Sequence, residues 1–236
     1  MQRLRELSAS LKQFHERGWT RLTGAFSLDA AAAMREVIWH GLAEQGIARD
    51  DPATWTVERP AHLQSLRSNP VFRQVASPET LAAIDVILGT RAYPQPKDWG
   101  SLFIAFPAGR PWSLPTAGWH IDAKYTSALD PPRGVKTFAL LGDVAPRSGA
   151  TLAVSGSHRL VHRWFQEHAP APGANSTAMR EALLAHPYLR GLQSPGDPEA
   201  RIARFMDQIE QHDGIGLQVV ELSGSAVLLC GVEGPL

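Results

Sequence analysis

Apolar residues recur at Leu4, Leu7, Leu11 and Phe14. Spacings of three and four put them on one face, which predicts an amphipathic helix over 3–16. Gly18 is its stop, and GWTRLTGAF (18–26) alternates in polarity like a short strand. Ser27 reads as an N-cap, with Asp29 near the positive helix end, so a second helix runs to about residue 45 and stops at Gly46. Residues 50–60 carry Asp, Pro and Thr and predict a loop. Shorter helices follow, the clearest being PETLAAIDVIL (78–88) behind the cap Ser77. After Gly89 the prolines at 94, 96, 107, 111, 115, 131 and 132 forbid a long helix. Between them, SLFIAF (101–106), GWHIDA (118–123), VKTFALLGDV (135–144) and GATLAVSG (149–156) predict strands. Helical texture returns over 158–212, including REALLAH (180–186) and PEARIARFMDQIE (198–210). LQVVEL (217–222) and SAVLLC (225–230) are the last predicted strands. No linker interrupts this order, so one domain of 1–236 is expected: a helical annex to about residue 90, then a strand-built core with a helical insert.

Composition narrows the class. The 236 residues carry 23 Lys plus Arg against 23 Asp plus Glu, and this balance gives no electrostatic reason to expect nucleic acid. Cys230 is the single cysteine, which excludes an internal disulfide and a multi-cysteine metal site. No apolar run is long enough to span a membrane, and the N-terminus lacks the apolar stretch of a signal peptide, so a cytoplasmic protein is expected.

The candidate chemistry is the H-x-D of His120 and Asp122. On a strand, side chains two apart share a face, so an imidazole and a carboxylate would project together. They would supply two of the three ligands of a facial triad that holds non-haem Fe(II). Alone the tripeptide is weak evidence, since about one H-x-[DE] is expected by chance in such a chain. The other histidines, among them His162, His168, His186 and His212, fall at irregular spacing and form no zinc-helix motif. Ser155-Gly156-Ser157-His158 fails as a nucleophile elbow because Ala153 stands where glycine is required. Trp19, Trp39, Trp55 and Trp164 are expected to pack, whereas Trp112 and Trp119 lie close to the H-x-D in sequence.

The order GWHID, then FALLGDVAPRSGATLAVSGSHR, resembles the phytanoyl-CoA dioxygenase family. The opening FHERGWTRLTGAFSLDA resembles the start of that family, and the likeness runs from about residue 11 to about residue 229. The resemblance implies an α+β protein built on a double-stranded β-helix, a cupin-like jelly roll. It also implies Fe(II), 2-oxoglutarate as cosubstrate, and hydroxylation of a small organic substrate. His120 and Asp122 match the first two iron ligands, and Phe138 matches an aromatic residue lining the 2-oxoglutarate pocket. Gly156, Ser157 and His158 match a G-S-H turn, with His158 as a packing residue.

One region departs from the family pattern. The family has a third ligand His near its C-terminus and an Arg about ten residues beyond it for the 2-oxoglutarate carboxylate. Here no His follows His212 and no Arg follows Arg204. Recruitment of Cys230 or Glu233 is a minor possibility, since a thiolate suits softer metals. The sequence therefore carries two readings: an Fe(II)/2-oxoglutarate oxygenase, or a truncated, catalytically incomplete member that keeps the fold as a remnant or binding domain. If the closing strands of the roll are absent, exposed sheet edges would favour association. The substrate is not legible.

Overall fold

The computed structural model describes residues 2–99, 101–107, 109–121, 134–168, 176–224 and 227–232. Helix α1 (Gln2–Arg17) leads into strand β1 (Trp19–Leu22), and helix α2 (Leu28–Ala43) follows. The Ser27 hydroxyl accepts the Ala30 N–H at 3.0 Å, so the expected cap is formed. On α2, Ala30, Met34, Ile38 and Leu42 recur every fourth position and are all buried. This stripe packs on Leu63, Phe72 and Val75 from two short 3-10 turns and on Phe106. Trp39, Trp55 and Phe106 stack beside it, with Trp55 and Phe106 centroids 4.9 Å apart. Helix α3 (Pro78–Leu88) is capped by Ser77 and ends at Gly89 in the left-handed conformation. Its Ala83, Ile84 and Ile87 meet Phe14 of α1.

The strands form two antiparallel sheets among the described residues. In the first, β6 (Val227–Val232) lies between β1 and β2 (Gly134–Ala139). In the second, β5 (Ile215–Glu221) lies between β3 (Leu152–Ser155) and β4 (Glu210–His212). Between β3 and β4 come helices α4 (Ser157–His168), α5 (Ser176–Ala185), α6 (Pro187–Gln193) and α7 (Pro198–Phe205). Ile215, Leu217 and Val219 alternate along β5 and are buried with Leu160, Tyr188, Leu192 and Phe205 from the helices. The architecture is α+β, with helices before and between small antiparallel sheets.

Three expectations need correction. Residues 101–106 form no strand. Leu102 and Ile104 pack on the α2 core while Phe103 is 83% exposed, so the alternation is real. The Phe106 N–H goes to the Glu58 carbonyl, in a loop rather than a ladder. Residues 118–121 are also irregular, and their anchoring is described below. Finally, the helix expected over 198–210 stops at Phe205, and Glu210–His212 is a strand. Asp213 (φ 49°) and Gly214 (φ 78°) join it to β5 as a two-residue hairpin loop. Asp-Gly with both residues at positive φ matches the right-handed twist of paired strands, which favours a hairpin over a longer helix.

Close contacts tie the turn after β3 of the second sheet to the N-terminal annex. The Gly156 N–H donates to the Arg17 carbonyl at 3.0 Å. The His158 Nε2 lies 2.9 Å from the His15 carbonyl, and its ring sits where a Cβ on Gly18 would be. His158 is thus a packing residue in the first turn of α4.

Candidate functional site

His120 lies on the irregular segment that follows Pro111 and Pro115. The segment has no ladder partner among the described residues, and side chains anchor it. Leu114 is buried among Leu160, Tyr188 and Leu192, with Trp112 and Trp119 packed on the same cluster. The Trp119 indole N–H donates to the Pro115 carbonyl at 3.2 Å. On the other side of His120, Ile121 packs on the cluster of Val161, Trp164, Phe165 and Met179. The exposed imidazole is therefore carried between two inward-facing neighbours. The polarity alternation predicted for a strand is present, without the strand.

The imidazole Nδ1 lies 2.7 Å from the Gly118 carbonyl oxygen. A carbonyl only accepts, so this contact assigns the proton of a neutral ring to Nδ1 and the lone pair to Nε2. Metal-bound histidines are commonly prepared this way, with the second nitrogen fixed by a backbone carbonyl. His120 thus fits a single ligand position. Asp122 lies outside the described residues, as does Glu233. Among the described residues, no three His, Cys, Asp or Glu side chains gather as a metal site.

Phe138 is half-buried on β2, opposite Leu228 of β6. Val135 and Ala139 of the same strand pack towards the annex. With period-two alternation, Phe138 shares the opposite face with Lys136. Of the expected site residues, His120 and Phe138 are thus described, on separate segments.

The Arg147 guanidinium stands over the Trp112 ring at 5.9 Å, and the Arg147 backbone N–H donates to the Glu221 carboxylate at 2.8 Å. Arg110 is engaged on the surface by Glu58 at 2.8 Å. Both contacts help hold the edges of the segment leading to His120.

A second polar cluster lies at the β4 end of the second sheet. Arg204 holds Glu210 through two N–H bonds of 3.0 and 3.2 Å, and His212 Nε2 meets the same carboxylate at 2.8 Å. The Arg204 hydrogen bonds keep the Glu210 carboxyl below its ordinary range, and His212 adds to the effect. His186 stands edge-on to His212, and burial followed by the His212 charge lowers its pKa.

Among the described residues no helix is long and apolar enough to cross a membrane. No curated protein sequence and no solved structure matches the chain. A family model for phytanoyl-CoA dioxygenase (PhyH) matches residues 14–188, a span that includes His120, Asp122, Phe138 and the Gly156–His158 turn. That match extends over most of the chain and agrees with the motif order around His120, so the chain belongs to the phytanoyl-CoA dioxygenase family.

Proposed function

We propose that the chain is a single-domain Fe(II)/2-oxoglutarate-dependent oxygenase that hydroxylates a small organic substrate. In this reading the two sheets are parts of a double-stranded β-helix. His120 and Asp122 hold the metal, and Phe138 lines the cosubstrate pocket. Family membership supports the reaction class. The observation that supports the residue assignment is the Nδ1 contact of His120 with the Gly118 carbonyl, which fits the tautomer whose Nε2 lone pair can bind a metal. Bound iron would supply the redox chemistry, in which one oxygen atom of O2 enters a C–H bond while 2-oxoglutarate goes to succinate and carbon dioxide. The protein's own part is to fix the imidazole between Trp119 and Ile121 and to present it in one tautomer.

The test is Fe(II) binding and Fe(II)- and O2-dependent conversion of 2-oxoglutarate to succinate by the purified chain. His120→Ala and Asp122→Ala are each expected to weaken Fe(II) binding by about 10-fold or more. His120→Ala removes an exposed side chain and its hydrogen bond to Gly118, and should cost about 0.5–1.5 kcal/mol of folding stability. Unchanged Fe(II) affinity in both variants, or no succinate from the parent chain, would overturn the assignment.

A further inference from the structure

Arg201 of α7 is 8% exposed, and its guanidinium is surrounded by backbone carbonyls. It donates to Leu192 O at 2.8 Å, to Ser194 O, and to Gly191 O at 3.5 Å. These oxygens lie at the C-terminal end of α6, where a helix leaves carbonyls unsatisfied and the dipole favours a cation. The same guanidinium also reaches Leu114 O at 3.4 Å and Pro115 O at 3.3 Å. Those two carbonyls belong to the segment that carries His120, and Pro115 O is the one that Trp119 also uses. Burying a cation is costly unless its donors are used. The rigid five-donor fork of arginine can collect several carbonyls together, whereas a lysine ammonium cannot span them.

We propose that Arg201 is a positioning residue for His120, clamping residues 114–121 to the α6–α7 corner so that the imidazole is ordered before metal arrives. The proposal rests on the reading of His120 as an iron ligand. Residues 114–121 lack a sheet partner among the described residues, so without the clamp the conformational entropy of ordering them would fall on metal binding.

The experiment uses the full chain and Mn(II) as an oxygen-stable probe. Affinity and the spectrum of bound Mn(II) are read by electron paramagnetic resonance, and amide hydrogen exchange is followed over 114–121 in the metal-free protein. Arg201→Lys is expected to weaken Mn(II) binding by about 10-fold, within the range for residues that orient a ligand, and to speed exchange over 116–121. Trp119→Phe, which removes the indole donor to Pro115 and trims the ring packed on the Leu114 cluster, should shift both readings in the same direction. An Arg201→Lys protein with the parent's circular dichroism and Mn(II) affinity, alongside a weakened His120→Ala, overturns the clamp alone. If Arg201→Lys fails to fold, Trp119→Phe decides: weaker Mn(II) binding supports the proposal, and unchanged binding with unchanged exchange refutes it. If His120→Ala binds Mn(II) like the parent, the ligand reading itself fails, and faster exchange in Arg201→Lys then marks a clamp with no metal role.

Discussion

The rings of His186 and His212 meet edge to face with centroids 4.9 Å apart, and His212 in turn holds Glu210. His186 is also faced by Asp213 and by Arg163 of α4, whose guanidinium lies 3.5 Å from the Asp213 carboxylate. Burial and the neighbouring His212 disfavour a second positive charge, so the folded pKa of His186 lies below its ordinary 6.5. In the window just below that value the unfolded chain binds the proton more readily than the folded one. The contribution to stability is therefore complete above about pH 6.5 and is lost as pH falls through the lowered folded value. Glu210, also lowered, adds a loss in the same direction further into acid, below its ordinary 4.5. Thermal melts from about pH 2.5 to 8 should show the parent losing stability on acidification. His186→Gln should flatten the upper part of that decline, and Glu210→Gln the lower part. A His186→Gln curve parallel to the parent's would refute the assignment.

Gly156 has φ +87°, and a Cβ there would run into the carbonyl oxygen of Gly216 across the second sheet. Backbone on both sides leaves nothing to rotate away. Gly156→Ala should cost on the order of 3 kcal/mol, the upper end for a forced backbone conformation. Gly46 has a similar φ of +77° but open space around it. Gly46→Ala should therefore cost about 1–2 kcal/mol, the left-handed penalty alone. Urea unfolding of the two variants separates the contributions, and equal losses would mean that the Gly216 contact is relieved by a shift of the chain.

Ser77 accepts the Thr80 N–H at 3.1 Å and donates to the Thr80 hydroxyl at 3.1 Å. Thr80 is fully buried. Ser77→Ala removes both contacts and should destabilise by about 1 kcal/mol, with Ser77→Asp retaining most of the loss-free cap. Equilibrium unfolding distinguishes them, and an Ala variant as stable as the parent would show the cap to be unimportant.

The helical annex was legible because its signals are local. Ser27 and Ser77 lie beside the amides they cap, and the four-residue spacing of Ala30, Met34, Ile38 and Leu42 can be read without a partner. Strands β3 and β5 were legible too, from β-branched alternation between turns. Strand assignments failed where alternation came without pairing. Leu102 and Ile104, like Trp119 and Ile121, point inward in turn, but what a backbone amide bonds to is decided elsewhere in the chain. The β4–β5 hairpin was missed although its Asp213-Gly214 signal stands in the sequence, because the apolar spacing of Ile202, Phe205 and Ile209 reads as continuing helix. His120 could be chosen from its motif, but Arg201 could not. Nothing in the local sequence says that an arginine in α7 reaches carbonyls 86 and 87 positions away.

The central place of β6 in the first sheet has a consequence for biosynthesis. Thr20 pairs with Leu229 and Phe138 with Leu228, so the two outer strands are joined in the sheet through a segment translated long after both. At about 5–20 residues per second, β1 waits on the order of ten seconds or more for its neighbour to emerge. During that interval the apolar side of the annex, Phe14 and Ile84 included, has no sheet to cover it. A nascent chain stalled before Val227 should therefore engage chaperones and digest readily with protease, and release of the last strand should end both.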